Sequence, residues 1–489
     1  MDYGCKFNQI RGCPKLSQSE KSVSGHSKSR PFWSCLTLLF LLFVGPQSAL
    51  ADTRLVVRDS LGLTGILNLC GLLGGCSTVR GLGDPGGQLF MIQVPQLVSS
   101  LTLPLLQGIP TLGIVSIETD QIVQAQGAKA GPAPSYLTDK TPITYYGTTV
   151  WRGYVYQPGN RLIQTDSAHA IYKVAGSGVT VAVIDTGVDP NHPVLKNSLV
   201  AGYDFTRNQS GGSEMSDVSQ STVAVLDSSG TAQVSQSTVA VLDQSTVAVL
   251  DGKAQYAAFG HGTMVAGIVH LVAPQASIMP LKSFYADGTG YNSDILRAIY
   301  YATNHGAKVI NMSFNYTSYS PELDKAVSYA TQNGVVCVAA AGNSGLKATV
   351  YPAALNNVID VASTSNTDRP STFSNYGAPP VWLAAPGEGV MTTYPFGTYA
   401  AGWGTSFSAP LVAGTTAMMI STYGAQVSTG SSLSLLGISL SLGATAPSTK
   451  SQAANALSHA QWISAPQLGY GRLDTYQAEQ AWRSNLGLQ

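Results

Sequence analysis

The sequence predicts an α/β fold: a mostly parallel sheet with helices on both faces, preceded by a small α+β unit of ferredoxin-like pattern. Three observations predict it. "VTVAVIDTG", Val179 to Gly187, is a near-continuous apolar run, as expected of a strand buried on both faces. From there to Gly342, strand-like and helix-like segments alternate, which argues for a parallel sheet. Residues 52 to 125 instead read β-α-β-β-α-β, the split βαβ order.

The chain opens with a leader pattern. Lys6, Arg11, Lys15, Lys21, Lys28 and Arg30 form a basic region, "CLTLLFLLFV" (Cys35 to Val44) an apolar stretch, and Ala49 and Ala51 a small-residue exit. This is the order of a secretory signal peptide over 1–51, and the apolar stretch falls short of the ~20 residues of a membrane span. Export to a secreted or periplasmic location is expected. The chain has 489 residues, 44% of them hydrophobic and only 11% charged, with zero formal net charge. That composition suits a globular protein and gives no reason to expect nucleic acid or, after leader cleavage, a membrane as partner. Cleavage would leave Cys70, Cys76 and Cys337, which read as no disulfide framework, with Cys337 a core thiol.

In the small unit, "RLVVR" reads as a strand and "LGLTGILNLCGLL" as a helix. "TVRGL" and "QLFMIQV" flank Gly83-Asp84-Pro85-Gly86-Gly87 as a hairpin, "QLVSSLTLPLLQG" is a second helix and "GIVSIETDQIV" a last strand. Residues 126–142, rich in Gly, Pro and small residues, read as a linker. The larger domain, 143–489, then alternates: strand "VTVAVIDTG", helix "HGTMVAGIVH", strand "ASIMPLKSF", helix "SDILRAIYYATNH", strand "AKVINMSF", helix "ELDKAVSYATQN", strand "GVVCVAAAG". "QSTVAVLD" interrupts it three times, at 220–227, 236–243 and 244–251; residues 228–251 read as a duplicated loop insertion, at little cost in closure entropy.

Asp185 ends the first buried strand, His261 opens the next helix in "FGHGTMVAG", and Ser406 opens a third in "GWGTSFSAPLVAG". Each has a plainer role open to it: a turn, a structural histidine, a helix cap. Together they form an acid, an imidazole and a hydroxyl at strand ends and helix starts, the set that nucleophilic catalysis needs. Gly187, Gly260, Gly262 and Gly404 let the backbones approach.

"VAVIDTGVD", "GHGTMVAG" and "GTSFSAPLVAG" resemble the three active-site signatures of the subtilisin-like serine proteases, in that family's order of Asp, His and Ser. The resemblance covers about Tyr156 to Ala481. It implies Ser406 as nucleophile, His261 as general base and acid, Asp185 as the group orienting it, and Thr405 and Ser408 as supporting hydroxyls. "AAAGNSG" is similar to the family's oxyanion-hole loop, which implies Asn343 as a donor. "SFYADGTGYNSD" and "NMSFNYTS" resemble its two substrate-pairing segments, which implies Gly288, Gly290, Ser313 and Phe314 along the cleft, with Ala339, Ala340 and Gly342 as one pocket wall. Asn315 stands where the family usually has Gly. Apart from Asp287, no acid in these segments obviously selects Lys or Arg, so cleavage after apolar or aromatic residues is expected.

By the same resemblance the β-α-β-β-α-β unit looks like an inhibitory propeptide, 52–125, released by self-cleavage in the linker. The expected partners are polypeptide substrates and the protein's own propeptide, for a monomeric enzyme; an inactive peptide-binding protein is the alternative. No cofactor is expected for catalysis and no metal ligands are assigned. Structural calcium is possible, yet "HGTMVAGIVHLVAPQAS" lacks the calcium loop many members carry, so that helix should run unbroken to Val272.

Overall fold

A computed structural model describes residues 52–94, 103–107, 109–124, 133–218, 239–241, 256–377, 381–428 and 450–488. The leader lies outside them. All fall within one unit, Ala51–Gln489.

The main sheet has eight strands. Their order is Gln209–Ser210, Tyr203–Asp204, Ser277–Lys282, Thr180–Asp185, Val309–Met312, Val336–Ala340, Val358–Thr364 and Leu383–Pro386. All neighbours are parallel except the first pair. Alternation along the strands divides two cores. Val181, Val183, Val309, Val336 and Val338 face one that holds Met264, Ile268 and Leu411. Ala182, Ile184, Ile310, Met312 and Ala339 face another that holds Ile295, Leu296 and Leu323. Helices His261–Val272 and Thr405–Ser428 cover one face, and Asn292–Asn304 and Pro321–Gln332 the other. The strand runs are continuously apolar because both faces are covered. Thr180–Asp185 has the chain's next sheet strands on opposite sides, so Asp185 ends at the point where the winding reverses, where such sheets carry their sites. The helix from His261 is unbroken to Val272, as its sequence predicts.

The N-terminal unit forms a four-stranded antiparallel sheet in the order Thr78–Gly81, Leu89–Val94, Thr53–Asp59, Ile114–Thr119, with helix Leu63–Leu72. That is the split βαβ arrangement. Of the second predicted helix, the described part is Leu103–Gln107, with Pro104 in its first turn.

Three expectations need correction. Cys70 and Cys76 form a disulfide. Gly74 and Gly75, both at positive φ, fold the chain back at the helix end and bring Cys76 to Cys70, a return that cysteine counting does not reveal. "GIVSIETDQIV" is two strands, Ile114–Thr119 and Ile122–Gln124. Between them the Asp120 carboxylate accepts from Ser293 N and Oγ, both at 2.8 Å, and pairs with Arg54, which turns the chain onto the larger domain. The duplicated segment is not all loop: Val239–Val241, in its second copy, pairs antiparallel with Ala400–Gly402. The other two copies lie outside the described residues.

Candidate active site

Asp185 and His261 meet. Strand Thr180–Asp185 delivers the carboxylate, and Gly260, at φ 88°, turns the chain into the helix that His261 opens. Asp185 Oδ1 lies 2.8 Å from His261 Nδ1 and also accepts from Thr186 N at 2.7 Å. The loops interlock. A Cβ on Gly262 would fall 2.0 Å from Gly187 O, so these two glycines permit the approach. Burial lowers the His261 pKa, but the charge and hydrogen bond of Asp185, with the charge of Glu214, outweigh it and raise the imidazole above its ordinary value.

Ser406 sits in the first turn of helix Thr405–Ser428, where backbone N–H groups lack intrahelical acceptors. Its Oγ donates to Ser313 O at 3.0 Å, and Ser313 Oγ donates back to Ser406 O at 2.9 Å. The hydroxyl therefore rests on a carbonyl beside the site rather than capping its helix. Ser408 Oγ donates to Ala385 O at 2.9 Å and fastens the helix to the sheet.

The Asn343 amide is held by one end. Its Oδ1 accepts from Thr405 N and Thr405 Oγ1, each at 2.9 Å, while Gly342 N donates to Thr405 Oγ1 at 3.1 Å. Asn343 Nδ2 is buried with no acceptor among the described residues. An orphan donor of this kind is rare and points to an absent acceptor. Asn375, which the sequence reading missed, braces the same loop: its Oδ1 accepts from Ser344 N and its Nδ2 donates to Ala341 O.

Along the cleft, Gly288 turns at φ 85° and Gly290 lies in strand Thr289–Tyr291. That strand is already paired: Gln124, Val123 and Ile122 oppose Thr289, Gly290 and Tyr291. A Cβ on Gly290 would fall 2.4 Å from Ser283 O. Val123 is buried in the apolar cluster that holds Phe284 and Phe314, whose ring centroids lie 4.9 Å apart with the rings tilted by 50°. Gly342 stands at φ 99°, and Asn315 Nδ2 lies 3.3 Å from where its Cβ would be.

The N-terminal unit also docks on two helix starts. Glu118 Oε1 accepts from Ser320 Oγ at 2.6 Å and Asn292 Nδ2 at 3.1 Å, and Asp120 accepts from Ser293 N. Arg58 pairs with Glu322 at 2.7 Å. These carboxylates carried no motif that could have marked them.

The sequence model of the subtilase family matches residues 176–460, more than half of the chain. The chain belongs to the subtilase family. This subtilase is 36% identical over 275 residues to thermitase of Thermoactinomyces vulgaris, covering 54% of the chain and 82% of thermitase. It is 35% identical over 302 residues to the thermophilic serine proteinase of Bacillus sp. (strain AK1), covering 59% of the chain and 62% of that proteinase. Among solved structures, it matches fervidolysin from Fervidobacterium pennivorans with TM-score 0.62 at 21% identity, a likeness of fold, over 89% of the chain and 62% of fervidolysin. A lanthipeptide protease matches with TM-score 0.50 at 25% identity, over 67% of the chain and 94% of that protease. The subtilase is a subtilisin-like serine endopeptidase acting on polypeptides. Among the described residues, no helix is long and apolar enough to cross a membrane.

Proposed function

We propose that the enzyme cleaves peptide bonds through Asp185, His261 and Ser406, and that it is made as a self-processing zymogen. The observation that carries this reading is the 2.8 Å contact of Asp185 Oδ1 with His261 Nδ1. With Nδ1–H donated to the carboxylate, the lone pair is on Nε2, and His261 is poised as a base. A turn of the Ser406 hydroxyl away from Ser313 O hands its proton to Nε2 as Oγ attacks the substrate carbonyl. The new oxyanion is met by Asn343 Nδ2, the orphan donor, and by the Ser406 N–H. His261 then protonates the leaving amine, and water repeats the cycle on the acyl-enzyme.

Substrate adds as a strand along Thr289–Tyr291. The pairing of Ile122–Gln124 with that edge supports an inhibitory role for 52–125: the unit fills the place of a substrate, and the chain then enters the 126–142 linker, where processing is expected. The burial of Val123 against Phe284 and Phe314 supports an apolar preference. The leader supports export to a secreted or periplasmic location.

The test is Ser406→Ala in the full chain. Casein turnover should vanish and the N-terminal unit should stay attached. Maturation of the purified variant by itself would contradict the proposal.

A further inference from the structure

Glu214 lies behind the pair rather than beside the cleft. It has 0% of its surface exposed, and its carboxylate is where the two loops carrying Asp185 and His261 are joined. Oε2 accepts from Gly260 N at 2.8 Å and from Thr186 Oγ1 at 3.3 Å, and Oε1 accepts from Thr263 Oγ1. Each hydroxyl also ties across: Gly262 N donates to Thr186 Oγ1 at 2.9 Å, and Asp189 N to Thr263 Oγ1 at 2.8 Å. The residues on either side of His261, and the one after Asp185, thus hang on one carboxylate.

We infer that Glu214 is a positioning residue for the peptidase reaction: it fixes the His261 ring against Asp185. The inference rests on the roles proposed above for that pair. Three donors converging on both oxygens suit a carboxyl group, whereas an amide offers one oxygen and turns an N–H toward the remaining donors. The charged groups around it come from every neighbouring element. Asp185 and Asp189 follow the central strand. Lys282, on the next strand and fully buried, donates to Thr186 O, Phe284 O and Asp217 Oδ2. Arg207 pairs with Asp217 and Asp204. Asp185 is the main group that favours the imidazolium of His261, while burial pushes the Glu214 carboxyl itself up to about 8, opposed by the bonds from Thr263 and Gly260 and the charge of Lys282.

Glu214→Gln tests it in the mature enzyme, with rates normalised to active sites titrated by a fluorophosphonate. A slight misplacement of the base should lower kcat by about 10- to 100-fold with KM within about twofold. Wild-type kcat would overturn the inference. The hydroxyl partner gives an independent arm: Thr263→Val should lose kcat to a similar degree and Thr263→Ser should restore it. Equal, wild-type-like activity of both would also overturn it. His261→Ala run in parallel separates the two readings, because an active His261→Ala enzyme would remove the proposed base itself.

Discussion

At Asn343 a single side chain holds two functions apart. Thr405 takes the oxygen end and leaves the NH₂ end without an acceptor among the described residues, free for the proposed oxyanion. Asn343→Ala should therefore lower kcat by about 10²–10³, the magnitude known for such a donor in this family, and leave KM nearly unchanged. Steady-state kinetics on a peptide substrate checks the split. His261 sets the acid limb. Its pKa is held above the ordinary ~6.5, because Asp185 and Glu214 outweigh burial. Activity should rise with pH to a midpoint above that value, and a kcat/KM profile from acid to alkaline pH reads it directly. The meeting of Asp185 and His261 was legible in sequence, and Ser406 and Asn343 stand out beside them, because the chemistry proposed for these places restricts residue type. Thr405 and Ser408 were legible only as hydroxyls. Glu214 and Asn375 were not legible, since a buried carboxylate or amide is defined by which backbone groups converge on it, and those come from distant segments.

Elements were legible where their faces are covered by the chain's own pattern. The central strands and the helix His261–Val272 follow the apolar runs. The last strand of the N-terminal unit was misread because its break is imposed from outside, by the helix start that Asp120 caps. Its neighbour Glu118 makes a test of that docking. Burial pushes the Glu118 carboxyl up to about 7, opposed by the bond from Ser320. A raised carboxyl favours the docked chain at low pH, and that advantage fades as pH rises toward 7. In a full-length Ser406→Ala background, Glu118→Gln should raise Tm by about 2 °C at pH 8 and by less at pH 5. The melting curves at the two pH values decide it; an equal change at both would count against a titrating contact.

Across the whole molecule, the two cores and the N-terminal unit pack as neighbours, with Val56, Leu89, Met91 and Val123 in the same cluster as Ile295 and Ile299. The sequence does not mark this shared surface, because each apolar residue would look the same in a separate core. Acid stability is set deep inside. Burial, helped by the charge of His192, lowers the His270 pKa to about 4. The folded state keeps that ring neutral, so its contribution is full above the unfolded pKa and is lost as pH falls from ~6.5 toward ~4, by roughly 3 kcal/mol. His270→Gln should flatten that limb in urea titrations of the Ser406→Ala chain at pH 7 and pH 4.5. The central claim is that one hydroxyl, Ser406, is the nucleophile. The most direct measurement is mass spectrometry of the mature enzyme after treatment with a fluorophosphonate. A single adduct on the peptide carrying Ser406, formed in step with loss of activity, is the predicted result; an adduct on another serine, or full inactivation with Ser406 unmodified, would contradict it.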